Sequence, residues 1–401
     1  MAGVIGATVF ALAASTGLYF VFLGLLTIPF CQNQAIYLHR VTLTWGKDIN
    51  VPEQWGFLHN QISPFQLSTP DGETLHAWHI LPLEAYRRHE AELIKEASGK
   101  SFEIEQRKSF DILKNDPEAL LVIYLHGAAG TLGSGHRPQS YRAISAMAPD
   151  KIHIVAIDYR GFGTSTGEPS EQGLQTDALT LADWAMTTAG IPQERIVIFS
   201  QSMGTAAAIA SMQTLATRSP PVYFTGLVMV APFSDVKTLT ATYKVAGTIP
   251  ILSPLARFPA LMDFFARFIK SKWPSRETLA GFVRRCETSD DPKARYHVTM
   301  IHAKDDYDIP WSHSEEVFWS AVDAAENITS TGAELEKLKG DSRQPLGAGG
   351  WMVKKKYSKG VLRQHILEHG LHDWTMGYPA VSMAIWKAFL GRDDSAQSQH
   401  R

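Results

Sequence analysis

The sequence predicts an α/β fold: a mostly parallel central sheet with helices on both faces and a helical lid insertion, preceded by an N-terminal transmembrane helix. Three features predict it. Apolar, β-branched runs alternate with helical segments from Leu120 onward, as in successive βα units. One of these runs, Ile196-Val197-Ile198-Phe199, stops at a polar turn, Ser200-Gln201-Ser202, and a segment of small helix formers follows from Met203. Finally, Val4 to Phe30 is almost continuously apolar, longer than the ~20 residues that span a bilayer as a helix.

The leading segment reads as an uncleaved anchor. No charged side chain occurs between Met1 and Leu38, so the basic leader of a signal peptide is missing. The apolar run also continues past Ala11-Leu12-Ala13-Ala14, the best small-residue cleavage candidate. A buried soluble helix fits less well, because the run has no polar face. Residues 1–30 are therefore assigned to the anchor, 31–64 to a juxtamembrane linker and 65–395 to a globular domain. A net charge of −2 over 401 residues does not suggest the basic stripe of a nucleic-acid binder. Two cysteines, Cys31 and Cys286, argue against a disulfide scaffold and against a cysteine-rich metal site.

Along the domain, Phe65–Ser68 and Thr74–Ile80 alternate apolar and polar residues around Thr69-Pro70-Asp71-Gly72, which predicts a hairpin. Leu83 to Asp116 is charged and helical in pattern. Strands are expected at Leu120–Leu125, Ile152–Ile157, Ile196–Phe199, Gly226–Val230 and Val298–Ile301. Helices are expected at Ser140–Met147, Gln175–Thr188 and Tyr378–Leu390. The stretch from Ala231 to Tyr296 reads as a lid, with Phe258, Met262 and Phe265 at helical spacing and Arg257, Arg267, Lys270 and Lys272 as a basic rim. Residues 325–364, including Lys354-Lys355-Lys356, read as a loop insertion.

In such sheets the chemistry sits beyond the carboxyl ends of the strands. The turn at Ser202 has the strand–turn–helix context of a nucleophile elbow, which lifts a serine hydroxyl clear of the sheet. Ser200 stands where the G-x-S-x-G pattern has its first glycine; the site needs a small side chain, and serine is small. The first parallel strand ends in His126-Gly127-Ala128-Ala129-Gly130, so the N–H groups of Ala128 and Met203 are the expected oxyanion donors. A serine nucleophile needs a base, and the base an orienting acid. Three aspartates crowd the loop after Met300-Ile301; Asp306 is favoured by its spacing to Pro310, with Asp305 the alternative and Asp308 a solvated or capping residue. His372, after Gly370 and before the last helix, is the expected base, with His365 and His369 as competitors. The order Ser…Asp…His is that of the α/β-hydrolase fold.

Five segments, taken together, resemble one family: His126–Thr131, Asp158–Ser165, Gly167–Glu171, Ser202–Thr205 and His302–Asp306. It is the α/β-hydrolase-domain family of membrane-anchored monoacylglycerol and lysophosphatidylserine lipases. The likeness runs from about Phe65 to Leu390, and the anchor is shared. It implies Ser202 as nucleophile, Asp306 as acid and His372 as base. It also implies a single-pass protein of the endoplasmic reticulum with a lumenal catalytic domain. The sequon Asn327-Ile328-Thr329 agrees with a lumenal domain, whereas Arg40 and Lys47 after the span favour a cytosolic one. Ser200 and the 325–364 segment depart from the family pattern, and Arg160 is expected to be a structural tether.

The expected activity is hydrolysis of a single-chain lipid ester, monoacylglycerol or lysophospholipid, through an acyl-enzyme on Ser202. No metal or organic cofactor is called for. The expected partners are a lipid or acyl-ester substrate and the membrane. The alternatives are an acyl-protein thioesterase and a catalytically inactive interaction module.

Overall fold

The computed structural model describes residues 2–245, 249–250, 252–328 and 331–391. Helices α1 (Ala2–Leu25) and α2 (Pro29–Tyr37) precede the hairpin β1 (Ile62–Ser68) and β2 (Thr74–Ile80). Helices α3 (Leu83–Leu93) and α4 (Lys108–Asn115) follow. The βα series is β3 (Leu120–Leu125), α5 (Arg137–Ser145), β4 (Ile152–Asp158), α6 (Glu171–Thr187), β5 (Ile196–Gln201), α7 (Met203–Ala216) and β6 (Gly226–Val230). The lid region holds α8 (Val236–Thr242), the two-residue strands β7 (Lys244–Val245) and β8 (Ile249–Pro250), α9 (Ser253–Ala256) and α10 (Pro259–Ala266). Next come α11 (Ser275–Glu287), β9 (Tyr296–Ala303), α12 (Ser312–Glu326), α13 (Gly332–Ser342), β10 (Gln344–Pro345), β11 (Gly350–Lys356), β12 (Gly360–Leu367) and α14 (Pro379–Leu390).

The main sheet has ten strands in the order β1-β2-β4-β3-β5-β6-β9-β12-β11-β10. From β4 to β12 neighbours are parallel; the hairpins at either edge are antiparallel. Helices cover both faces, as the near-continuous apolar runs require. On β3, Leu121, Ile123 and Leu125 pack with residues of α6 and α7, while Val122 and Tyr124 pack with residues of α5 and α14. Chain order reverses between β3 and β5, which opens a crevice beyond their carboxyl ends. That crevice positions the site.

Three expectations change in detail. The segment 31–64 is no free linker: Gln32, Tyr37, His39 and Asn60 are buried against the domain. Residues 325–364 do not form a loop insertion; they supply α13, β10, β11 and the start of β12, a strand of the parallel sheet. The alternation Trp351, Val353 and Leu362, Gln364, Ile366 carries the buried face, but Lys354-Lys355-Lys356 breaks up the hydrophobic signal. The lid is shorter than 231–296, because α11 packs on α7 and α12 as a core helix through buried Leu279, Phe282 and Val283.

Helix α1 contains one segment, Val4–Leu25, long and apolar enough to cross a membrane. Only its last turns touch the body. There Leu23 packs with Leu255 and Met262 of the lid, flanked by Tyr19, Phe22 and Phe265. Phe258, Phe264 and Phe268 of the lid remain exposed beside it. Thr329 of the sequon lies outside the described residues.

Candidate active site

Strand β5 is buried along its whole length, and Ser202 follows it with φ 53° and ψ −123°, a conformation that L-residues rarely adopt. The surroundings impose it. The Ser202 N–H donates to the Val230 carbonyl at 2.9 Å, which stitches the turn to β6. Two glycines allow the close approach. A Cβ on Gly204 would collide with the carbonyls of Leu125 and His126, and one on Gly127 would lie 3.1 Å from Ser202 Cβ. Ser200, the departure from the glycine pattern, is fully buried, and its Oγ has no hydrogen-bond partner.

Asp306 follows β9 and is buried. Its Oδ1 accepts the N–H groups of Asp308 and Ile309 at 2.9 and 3.0 Å. Its Oδ2 meets His372 Nδ1 at 2.8 Å and His302 Nε2 at 3.2 Å. The carboxylate is thus bound on both oxygens and fixed in plane. Burial favours its neutral form, but His372 and His302 outweigh that and hold it ionised well below the usual carboxylate range. His372 follows β12. Burial pulls its pKa down, but Asp306, Asp373 and Asp308 together raise it to about 9. With Nδ1–H donated to Asp306, the neutral ring leaves Nε2 free as an acceptor. Gln201, next to Ser202, donates from Nε2 to Asp373 Oδ1 at 3.3 Å, so the elbow and the histidine loop are joined by their adjacent residues.

The two competing acids take other roles. Asp305 Oδ1 accepts the N–H groups of Gly370 and Leu371, both at 2.9 Å, and so anchors the loop that carries His372. Asp308 is half-buried, and burial raises its pKa. Of the competing histidines, His369 is exposed and 3.5 Å from Asp305, and His365 lies within β12. Ala128 lies in the turn after β3, and Met203 opens α7 directly after Ser202. Among the described residues, the next two amides of the β3 turn donate elsewhere: Ala129 N–H to Tyr37 O and Gly130 N–H to Val41 O. Among the described residues, neither Ala128 nor Met203 donates its N–H in a turn or loop backbone bond of this kind.

The strand order, with a serine elbow after β5 and acid and histidine after β9 and β12, is that of the α/β-hydrolase fold. The family model for serine aminopeptidase, S33, matches residues 116–330, just over half of the chain. The chain belongs to this family of serine hydrolases. Among curated proteins it is 29% identical to the lysophosphatidylserine lipase ABHD12 of Xenopus tropicalis over 299 residues, 74% of this chain and 67% of that protein. The Rattus norvegicus protein of the same name is 31% identical over 277 residues, 67% of this chain and 62% of that protein. The chain thus spans about two thirds of the length of the curated relatives it matches. An alpha-beta hydrolase from Vibrio vulnificus is a solved structure with 16% identity and a TM-score of 0.48, covering 78% of this chain and 91% of its own.

Two residues of this S33 hydrolase site were not singled out in the sequence. His302 is fully buried; besides Asp306, its Nε2 reaches the Ile309 carbonyl at 2.8 Å. A histidine inside an apolar strand and four positions before Asp306 was the available signal. Arg137 is also buried. Its guanidinium donates to the carbonyls of Thr131, Gly127 and Ala129 at 2.6, 3.2 and 2.8 Å, and more weakly to that of Ala128 at 3.4 Å. Nothing local distinguishes it from a surface arginine at a helix start.

Proposed function

We propose that the chain is a membrane-anchored serine hydrolase that cleaves the ester of single-chain lipids, a lysophospholipid or a monoacylglycerol. The observation that carries this reading is the fixed Asp306–His372 pair joined through Asp373 and Gln201 to a serine elbow. His372 Nε2 takes the Oγ proton as Ser202 attacks the ester carbonyl. The C–Oγ bond forms and the oxyanion is held by the N–H groups of Ala128 and Met203. The ester C–O bond then breaks, and the leaving alcohol takes the proton from His372. Water, deprotonated by the same ring, releases the fatty acid and restores Ser202.

The lipid substrate class is supported by the names of the curated relatives and by the apolar lid packed on the anchor. A single-chain lipid dissolves in the bilayer that α1 spans, and the exposed phenylalanines of the lid suit entry from that side. A lumenal catalytic domain in the endoplasmic reticulum is supported by the family resemblance, with Asn327 exposed at the end of α12.

The test is covalent labelling of membranes by a fluorophosphonate probe. Wild type and Ser200→Ala are expected to label, and Ser202→Ala is not. A folded wild type that resists the probe would exclude Ser202 as an activated nucleophile. Hydrolysis of lysophosphatidylserine, monoacylglycerol and an acyl-protein thioester, compared side by side, then decides the substrate class.

The pH profile carries its own expectation. A base must be neutral, and the acids around His372 raise its pKa to about 9. The kcat/KM should therefore rise through the neutral range and level off only in the alkaline range. Asp373→Asn removes one negative charge that favours the imidazolium, so the rising limb moves to lower pH. Each ~0.5 unit of that movement raises kcat/KM at neutral pH about threefold. A profile flat between pH 6 and pH 9 (roughly the span that the perturbed histidine should dominate) would contradict this assignment.

A further inference from the structure

The segment leaving α2 does not merely connect anchor and domain. Tyr37 and Val41 accept the amides of Ala129 and Gly130 on their backbone carbonyls, at 2.9 and 2.6 Å. Thr42 accepts Ser134 Oγ at 2.6 Å, and the same hydroxyl receives the Thr131 N–H at 2.8 Å. His39 is buried and lies 3.2 Å from Glu168 through Nε2, beside Phe162. Upstream, Gln32 donates to the Phe268 carbonyl at 2.6 Å and accepts the Lys270 N–H at 3.1 Å. Tyr37, wholly buried, shares a hydrogen bond with Ser271 at 2.7 Å. The segment thus lies between the exit of the lid and the turn after β3.

The turn is gripped from both sides. Arg137 binds its carbonyls, and residues 37–42 bind its amides. Among the described residues, the Ala128 N–H is held by neither grip. The segment is itself held in an unfavourable backbone: Leu38, Leu43 and Trp45 have φ of 48°, 51° and 53°, and Ala129 opposite has 56°. Non-glycine residues hold such angles only where the surroundings impose them. Pure tethering would not require this. An amide donor contributes to catalysis only if it is aimed before the reaction at the position the oxyanion will occupy.

We propose that residues 37–42 form a strap that, together with Arg137, aims the Ala128 N–H, so that the juxtamembrane segment after α2 is a positioning part of the active site. This rests on the reading of Ser202 as nucleophile and Ala128 as oxyanion donor.

The test uses the full-length protein in detergent with a 4-nitrophenyl ester of a medium-chain acid. A Gly-Gly insertion between Leu38 and His39 shifts Val41 and Thr42 against Tyr37. The same insertion between Gly46 and Lys47 lies beyond the strap and serves as control. Arg137→Lys keeps the charge but loses the planar fork that spans several carbonyls. The expected result is a fall in kcat of roughly 100-fold for the 38/39 insertion and for Arg137→Lys, the scale of one lost oxyanion donor. KM and the thermal midpoint should stay within the range of the control insertion. Unchanged kcat in both variants would overturn the strap, and so would a fall in kcat that only tracks a lowered melting temperature in both. Fluorophosphonate labelling separates the two levels: an unlabelled wild type removes the nucleophile reading and the strap with it, whereas a labelled wild type with unaffected variants removes the strap alone.

Discussion

Asp306→Asn is expected to lower kcat by about 10⁴-fold while leaving the fold intact. The carboxylate acts through His372, 2.8 Å away. An asparagine can keep the Asp308 and Ile309 amides on its Oδ1. It then turns an amide N–H₂ toward His372 Nδ1, which favours the tautomer with the proton on Nε2. That ring cannot accept the serine proton. The loss of the negative charge also lowers the histidine pKa, so the rising limb of the pH profile should move to lower pH as activity falls. Asp305→Asn provides the comparison. Its carboxylate holds the Gly370 and Leu371 amides and does not touch His372, so its loss should disturb loop position without reversing the tautomer. If Asp305→Asn proved as damaging as Asp306→Asn, with an equal shift in the pH profile, the acid would be misassigned.

The largest effect on stability is expected from Arg160→Met. Arg160 donates Nε and Nη2 to Asp177 Oδ1 at 2.9 and 2.8 Å, and its backbone N–H to Oδ2 at 2.8 Å. It also reaches Asp71 through Nη1 and Nη2 at 2.7 and 3.0 Å. Burial disfavours the guanidinium, but the two carboxylates outweigh that and strengthen its protonation. Asp71 is partly exposed and can turn to water. Asp177 cannot: its side chain is fully buried in α6, and burial raises its pKa. Removing Arg160 leaves that charge without its partner, at a cost of about 3–5 kcal/mol. The midpoint of thermal unfolding should fall by roughly 4–7 °C for a domain of this size. In the double variant Arg160→Met/Asp177→Leu the buried charge is gone as well, and most of the loss should be recovered. A single variant as stable as wild type would show the tether to be dispensable. The tether matters for the site because the loop it holds lies against the turn after β3; a Cβ on Gly163 would come within 3.3 Å of Thr131 Cγ2.

What could be read from the sequence follows from how each feature is encoded. The strands β3 to β6 were legible because burial on both faces demands unbroken apolar runs. Ser202 and Asp306 could be nominated because each stands just past such a strand, where a polar residue interrupts the run; His372 was nominated from its place after Gly370 and before the last helix. Strand β12 was hidden by the neighbouring lysines of β11, of which Lys355 places its ammonium over the Trp319 ring. The contacts of residues 37–42 left almost no trace in the sequence. Tyr37, Val41 and Thr42 act through backbone carbonyls, and any residue type has one. The role of Arg137 was equally silent, since its partners are carbonyls and not an acid that could be matched by charge. The spacing to Pro310 favoured Asp306 over Asp305, but that Asp305 anchors the Gly370 and Leu371 amides could not be read from the sequence.

The strap also sets a timetable for biosynthesis. Thr42 meets Ser134, 92 positions further along the chain, but Gln32 must wait for Phe268, 236 positions later. At ~5–20 residues per second, that delay is roughly 10–50 s of synthesis. Throughout it, the turn after β3 is not yet tied to the exit of the lid. The two ends of the strap therefore close in sequence, the Ser134 end first and the Phe268 end only after the lid has been translated.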